Sequence, residues 1–473
     1  MMNQIPAQHK TIIISTFAVL FLFVLLWQVS LISHFLSELF SSSSLPLIMA
    51  PFSGQTFWMT LVLFVIAHQV GKLIGIGNFI RNALMITFSL FVIGLAQANH
   101  FWLLPFVVFL TAAIYGTGKT VLHISDVEKE QRRLILTFII VCLVVCILCY
   151  FKYSQFQWLI NCSWQSIGGA FTQISDGTNS HIFLLGVSYF SFKFIHFLVD
   201  CYNKKIVNLN LFTFINYILF FPSFFSGPIN RYNTFAENIH NNNETESFSR
   251  NVSGIKRIIN GLFKKIVLAN NLLPLSIASL DFSDPSVTPL QAISGIYAYM
   301  FYIYFDFSGY TDMAIGSAKL VGINLPENFN YPFLKRNIQQ FWANWHMSLT
   351  NWLTDYIYWP LARKLRRFKR LKKMPVTNSN ICIIITFMVC GLWHGDGITF
   401  FLWGTYHGIG LALLNVYKQI VKKYYSQRWR KFVGSSRIAY GISTFITFNF
   451  VAFGFLIFHC DFPKLKLFFQ LFS

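Results

Sequence analysis

The chain has 473 residues; 55% are hydrophobic and only 11% charged, and 37 basic side chains against 17 acidic ones give a net charge of +20. An ordinary soluble domain carries about 25% charged residues, so this chain cannot cover a globular surface of its size with charge, and disorder, collagen and coiled coil are excluded with it. A polytopic membrane protein remains, a single domain over 1–473 with no long polar stretch to hold a second one. Its basic excess is read as Lys and Arg gathered in cytoplasmic loops against anionic lipid, not as a nucleic-acid surface.

In chain order, residues 11–33 form an apolar run too long for a signal-peptide core and without a small-residue cleavage site, which predicts a retained transmembrane helix. Further spans are expected near 45–66, 73–95, 101–115, 134–151, 181–200, 209–225, 254–280, 289–305, 381–394, 397–417 and 438–458. Several contain Gly, Pro or a charge, so the prediction is ten to thirteen helices, with re-entrant or interfacial pieces among them. Residues 116–120, GTGKT, imitate the end of a phosphate-binding loop, but Ala113 stands where that pattern needs Gly, and a membrane span precedes it. Cys142, Cys146 and Cys149 are expected as small buried hydrophobes; no second pair or His-x-x-x-His completes the CxxC into a metal site. The Asn-rich stretch 236–253 reads as a surface loop. Residues 363–373, RKLRRFKRLKK, hold eight basic residues in eleven and are predicted to be cytoplasmic; a second basic patch runs from Lys418 to Lys431.

Two regions carry the chemistry. In 297–361, Asp306 and Asp312 sit in an aromatic, apolar stretch. A charge there is costly, so each should face a protein interior or a water cavity and have a partner; bracing of broken helices is the plainer alternative. LPENFNYPF at 325–333 is expected to be a loop leading to a helix that begins near Asn337. That one helix is predicted to carry Trp342, Trp345, His346, Trp352 and Asp355, with Trp342 and His346 on a shared i, i+4 face. In 390–408, His394 follows Trp393 at the end of an almost purely apolar run and lies among Gly391, Gly395 and Gly397, which let backbone open or approach closely. A neutral imidazole there can act as a general base without bringing a permanent charge into the membrane; a histidine bonded to a carbonyl is the structural alternative. His407 is read mostly as structural. No GxSxG or HExxH occurs, so no protein nucleophile suggests itself.

YFDFSGYTDMAIG, PENFNYP, FW-x-x-WHMSL-x-x-W-x-x-DYIY and GLWHG, in that order, resemble the membrane-bound O-acyltransferase family, on its bacterial branch of alginate O-acetyltransferase membrane subunits and teichoic-acid D-alanyl transfer proteins. GVSYFSFKFIHFLVD and FFPSFFSGPINRY upstream match too. The resemblance covers 181–460, which it marks as a catalytic core behind N-terminal helices in 1–180. It implies an all-α membrane protein around a central funnel, with the two characteristic histidines falling on His346 and His394, and His394 taken as catalytic. Trp393, Asp306, Asp312, Asn344, Trp345 and Asp355 are expected to line or support the substrate path. The resemblance also implies no resident cofactor but an acyl thioester co-substrate on the cytoplasmic side, acetyl-CoA or an acyl carrier protein. It implies further that the acceptor is a hydroxyl of an extracytoplasmic polysaccharide or cell-envelope polymer, that the membrane is the bacterial inner membrane, and that a partner protein bears an extracytoplasmic esterase-like domain. Acetyl transfer is favoured by DFSGYTDMAIG and GLFKKIVLAN; GPINRY and the C-terminal FNFVAFGFLIFHCDF lean toward D-alanyl. Two other classes stay open: a non-catalytic transporter with histidine proton relays, which the lack of a visible internal repeat weakens, and a haem protein with paired axial histidines, which would be coloured.

Overall fold

The computed structural model describes residues 55–73, 78–97, 102–124, 130–153, 184–206, 208–240 and 247–473. The span expected at 11–33 and the start of that at 45–66 lie outside the described residues. Every regular element among those described is helical. The helices are α1 Gln55–Leu73, α2 Asn78–Ala96, α3 Leu103–His123, α4 Glu130–Lys152, α5 Val187–Tyr202, α6 Leu211–Leu219, α7 Tyr232–His240 and α8 Ser247–Leu262. They continue with α9 Pro289–Leu320, α10 Ile338–Trp342, α11 Met347–Leu353, α12 Trp359–Leu365, α13 Pro375–His394, α14 Ile398–Tyr424, α15 Gln427–Ser435, α16 Arg437–His459 and α17 Phe462–Gln470. Among the described residues five stretches, Phe79–Ala96, Leu103–His123, Glu130–Lys152, Pro375–His394 and Arg437–His459, are long and apolar enough to cross a membrane.

These helices are apolar all round. On α3 the buried positions Leu103, Val107, Leu110, Ile114 and Val121 recur at helical spacing, yet Val108 and Phe109 on the outer face are exposed. A helix greasy on both faces belongs in hydrocarbon. Its polar side chains turn back on their own backbone: the hydroxyls of Thr111, Thr117 and Thr120 donate to the carbonyls four residues earlier at 2.8–2.9 Å. GTGKT falls inside α3 and forms no phosphate loop.

Four expectations are corrected. Cys142 and Cys146 lie on the exposed face of α4, not buried, because the buried stripe runs through Thr137, Val144, Leu148 and Phe151. The polar stretch 236–253 is not one loop: its two ends belong to α7 and α8. The span expected at 254–280 is instead the end of α8, followed by a π-helical turn at Phe263–Ala269 and, from Leu273, a non-helical stretch that Pro274 helps to enforce. The span placed at 289–305 runs on to Leu320, since no proline intervenes before Pro326.

The described chain forms two compact units. One takes the residues up to Leu262 together with Tyr310–Pro326. In it α6 stops at Leu219, where Pro222 follows, and its last carbonyls need donors from elsewhere. Lys193 of α5, fully buried, supplies them: its Nζ donates to Tyr217 O at 3.1 Å and to Ser223 Oγ at 2.9 Å. The other unit, Phe263–Gly309 with Glu327–Ser473, is packed on aromatic rings. Trp345 stacks on Phe341 at 5.5 Å, and Phe329, Phe333 and Phe455 close around its edges.

Candidate active site

In the second unit α13 and α14 form an antiparallel hairpin through the turn 395–397, and His394 is the last residue of α13. A Cβ on Gly404 would stand 2.2 Å from Phe387 O, and one on Gly391 2.2 Å from Phe400 O. Only glycine permits that approach. Gly391 and Gly404 therefore serve close contact, and the space beside Gly395 is filled by the Phe400 ring.

Three aromatic rings wall the His394 imidazole: Trp393 at 4.7 Å, Trp403 at 5.0 Å and Phe458 at 5.2 Å, all edge-to-face. The ring is half-buried rather than sealed. The far end of the hairpin is its basic end, about 30 Å away for the 20 residues of α13. All eight basic residues of 363–373 are exposed, just before Pro375, and the 418–431 patch begins in the last turns of α14.

His346 is held otherwise than the sequence predicts. The helix that starts at the Asn337 cap ends at Trp342, and a second begins at Met347. His346 lies between them with φ 42° and ψ 52°, so Trp342 and His346 share no helical face. Nothing in WANWHMSL is a helix breaker; the turn is imposed by the 327–331 segment packed against it, through Asn330 N to Asn344 O and Met347 N to Asn328 O, both 3.0 Å. The His346 ring is buried and meets Phe307 of α9 edge-on at 4.7 Å.

Asp306 and Asp312 are each partnered, Asp306 by a residue of the π-helical turn that interrupts the stretch after α8. Both lie inside α9 and have the partners that burial requires: Lys265 pairs with Asp306, and Arg257 Nε meets Asp312 Oδ1 at 2.6 Å. Asn344 is spent on backbone, its Nδ2 donating to Gln340 O at 2.8 Å, and Trp345 is a core ring. Asp355 sits exposed on a π-helical turn, Thr354–Tyr358, which replaces the last part of the predicted helix. His407 is buried against Trp342, whose Nε1 approaches its Nδ1 at 3.4 Å, and it also touches Trp403. Trp403 thus contacts both histidines of the hairpin. Trp403, Phe458, Asn328 and Ser348 shape the two histidine sites; no local pattern marks them, because each acts on a residue distant in sequence or through one.

What this arrangement offers is a half-open imidazole among aromatic walls at one end of a rigid hairpin, plus a second, buried imidazole on a constrained turn. The imidazole can take a proton, and the rings that wall it carry no nucleophile of their own.

A family model described as MBOAT, membrane-bound O-acyltransferase family, matches residues 88–457. A teichoic acid D-alanyltransferase of Streptococcus thermophilus is 32% identical over 291 residues, 60% of this chain and 70% of that protein. A peptidoglycan O-acetyltransferase of Helicobacter pylori is 30% identical over 379 residues, covering 74% and 67%. A Pseudomonas aeruginosa protein named "Probable alginate O-acetylase AlgI" is 30% identical over 339 residues, covering 71% and 58%.

Proposed function

The chain belongs to the membrane-bound O-acyltransferase family and is a membrane-embedded O-acyltransferase; from that premise we propose that it moves an acetyl group from a thioester donor on the cytoplasmic side to hydroxyls of an extracytoplasmic polysaccharide. The observation that carries this reading is the position of His394, at the end of the α13–α14 hairpin opposite the basic patches. With the basic end held in the cytoplasm by the positive-inside bias, the imidazole is left toward the side where an envelope polymer lies. The membrane is then the bacterial inner membrane, and an extracytoplasmic esterase-like partner protein presents or receives the polymer.

An alcohol is a poor nucleophile at neutral pH. His394 takes the hydroxyl proton as the oxygen attacks the thioester carbonyl. The tetrahedral intermediate collapses with cleavage of the C–S bond; the thiolate leaves and is protonated by the imidazolium. One ester forms, one thioester is lost, and the histidine returns neutral. No covalent acyl-enzyme is needed.

The competing reading, D-alanyl transfer from a carrier protein, is favoured by the similarity to the Streptococcus thermophilus protein. Membranes containing the chain, given radiolabelled acetyl-CoA or carrier-bound D-alanine with envelope polysaccharide, separate the two. Alkali-labile acetyl ester on the polymer is expected. Label arriving only from D-alanyl carrier would replace acetyl by D-alanyl, and polymer that crosses the membrane unmodified would replace the enzyme by a transporter.

A further inference from the structure

The first turn of a helix leaves backbone N–H groups without partners inside the helix. A residue at the N-cap ordinarily takes extended backbone and turns its own side chain onto them. His346 holds that position for α11: its carbonyl accepts from Thr350 N at 3.0 Å. It does neither of the other two things. Its backbone is left-handed, and its side chain makes no cap hydrogen bond. Left-handed backbone is unfavourable for a residue with a Cβ, so it persists only where the surroundings impose it.

The first two N–H groups go instead to a residue of the preceding segment. Met347 N donates to Asn328 O at 3.0 Å, and Ser348 N donates to Asn328 Oδ1 at 3.2 Å. Ser348 Oγ donates to the same Oδ1 at 2.6 Å. Asn328 is fully buried. The turn before His346 is tied by Asn330 N to Asn344 O at 3.0 Å.

We propose that Asn328 is a positioning residue for acyl transfer: it caps α11 from outside, so that the imidazole of His346 is released from capping and held against Phe307. The inference rests on the reading that His346 serves the reaction. Asn328 touches no substrate and acts through His346 alone. Its loss leaves α11 to be capped from within, by the imidazole itself or by a shifted turn, and either change moves the ring.

The test is a double-mutant cycle on turnover, measured in membranes with saturating thioester donor and envelope polysaccharide. The single variant Asn328→Ala is expected to lower turnover about tenfold, while in a His346→Ala background the same substitution costs less than about twofold. KM for the donor stays unchanged in both. Ser348→Ala, which removes only the Oγ bond, is expected to show a smaller loss with the same dependence on His346, and it serves where Asn328→Ala fails to fold. Equal losses with and without His346 would overturn the proposal, since structural damage does not depend on the imidazole. Full turnover of Asn328→Ala beside an impaired His346→Ala would sink the cap alone; full turnover of His346→Ala would sink the reading of His346 itself.

Discussion

Adding one methyl group at Gly404 tests whether the hairpin spacing sets the site. A Cβ there would lie 2.2 Å from Phe387 O and 3.1 Å from Gly391 Cα. An ordinary C···O contact is about 3.3 Å, so α13 and α14 must part by about 1 Å. Gly404 directly follows Trp403, which walls His394, and the displaced backbone is that of α13, which ends in His394. A misplacement of about 1 Å can cost about 10²-fold in rate, and overpacking costs about 1–3 kcal/mol of stability. Gly404→Ala is therefore expected to lower acyl transfer by one to two orders of magnitude, about 10–10²-fold, with the protein still inserted in the membrane. The assay is ester formation on polysaccharide from labelled donor, normalised to protein in the membrane, alongside thermal unfolding in detergent. Gly397→Ala is the control: it is nearer in sequence to His394, but its Cβ would find only ordinary contacts, Thr399 Oγ1 at 3.5 Å being nearest. Wild-type transfer by Gly404→Ala, or an equal loss in Gly397→Ala, would refute the argument that the close hairpin places the histidine.

Losing a general base costs about 10²–10⁴ in rate, so His394→Ala is expected to abolish detectable transfer while insertion persists. His394→Gln should fail equally, because an amide cannot take the proton; near-normal acylation by that variant, or a stable acyl adduct seen by intact mass, would contradict direct transfer through the imidazole. A single cysteine at Arg367, in a background without reactive thiols, should resist an impermeant label in intact cells, and labelling would reverse the orientation. Asp312 is buried and Arg257 half-buried, so leaving the guanidinium without this carboxylate costs about 1–3 kcal/mol; Asp312→Ala should lower the unfolding temperature in detergent by a few degrees, and Arg257→Ala added to it should recover part of that loss. An additive further loss would mean that the two side chains stabilise independently.

Much of this protein is legible in its sequence. Hydrophobicity is a sum over neighbours in the chain, so the membrane class, α2 through α4, α13 and α16 follow from composition and length alone. Glycines and prolines punctuate locally, so the loop before Asn337, the helix start near it and the end of α13 at His394 could be placed. The order of short motifs was enough to point to the family. The part that the expected site residues play in transfer is for the variants above to decide. The tertiary structure decided what depends on residues far apart in the chain. Asp306 and Asp312 find Lys265 and Arg257, 41 and 55 residues away. Lys193, unremarkable among phenylalanines, meets the broken end of α6. Gly391 and Gly395 turned out to be contact points, because the chain that fills their space arrives only when α14 folds back. The break at His346 is hidden for the same reason. The i, i+4 spacing of Trp342 and His346 suits a helix, but in the left-handed turn Asn328, 20 residues before Ser348, takes the N–H groups that a continued helix would have bound.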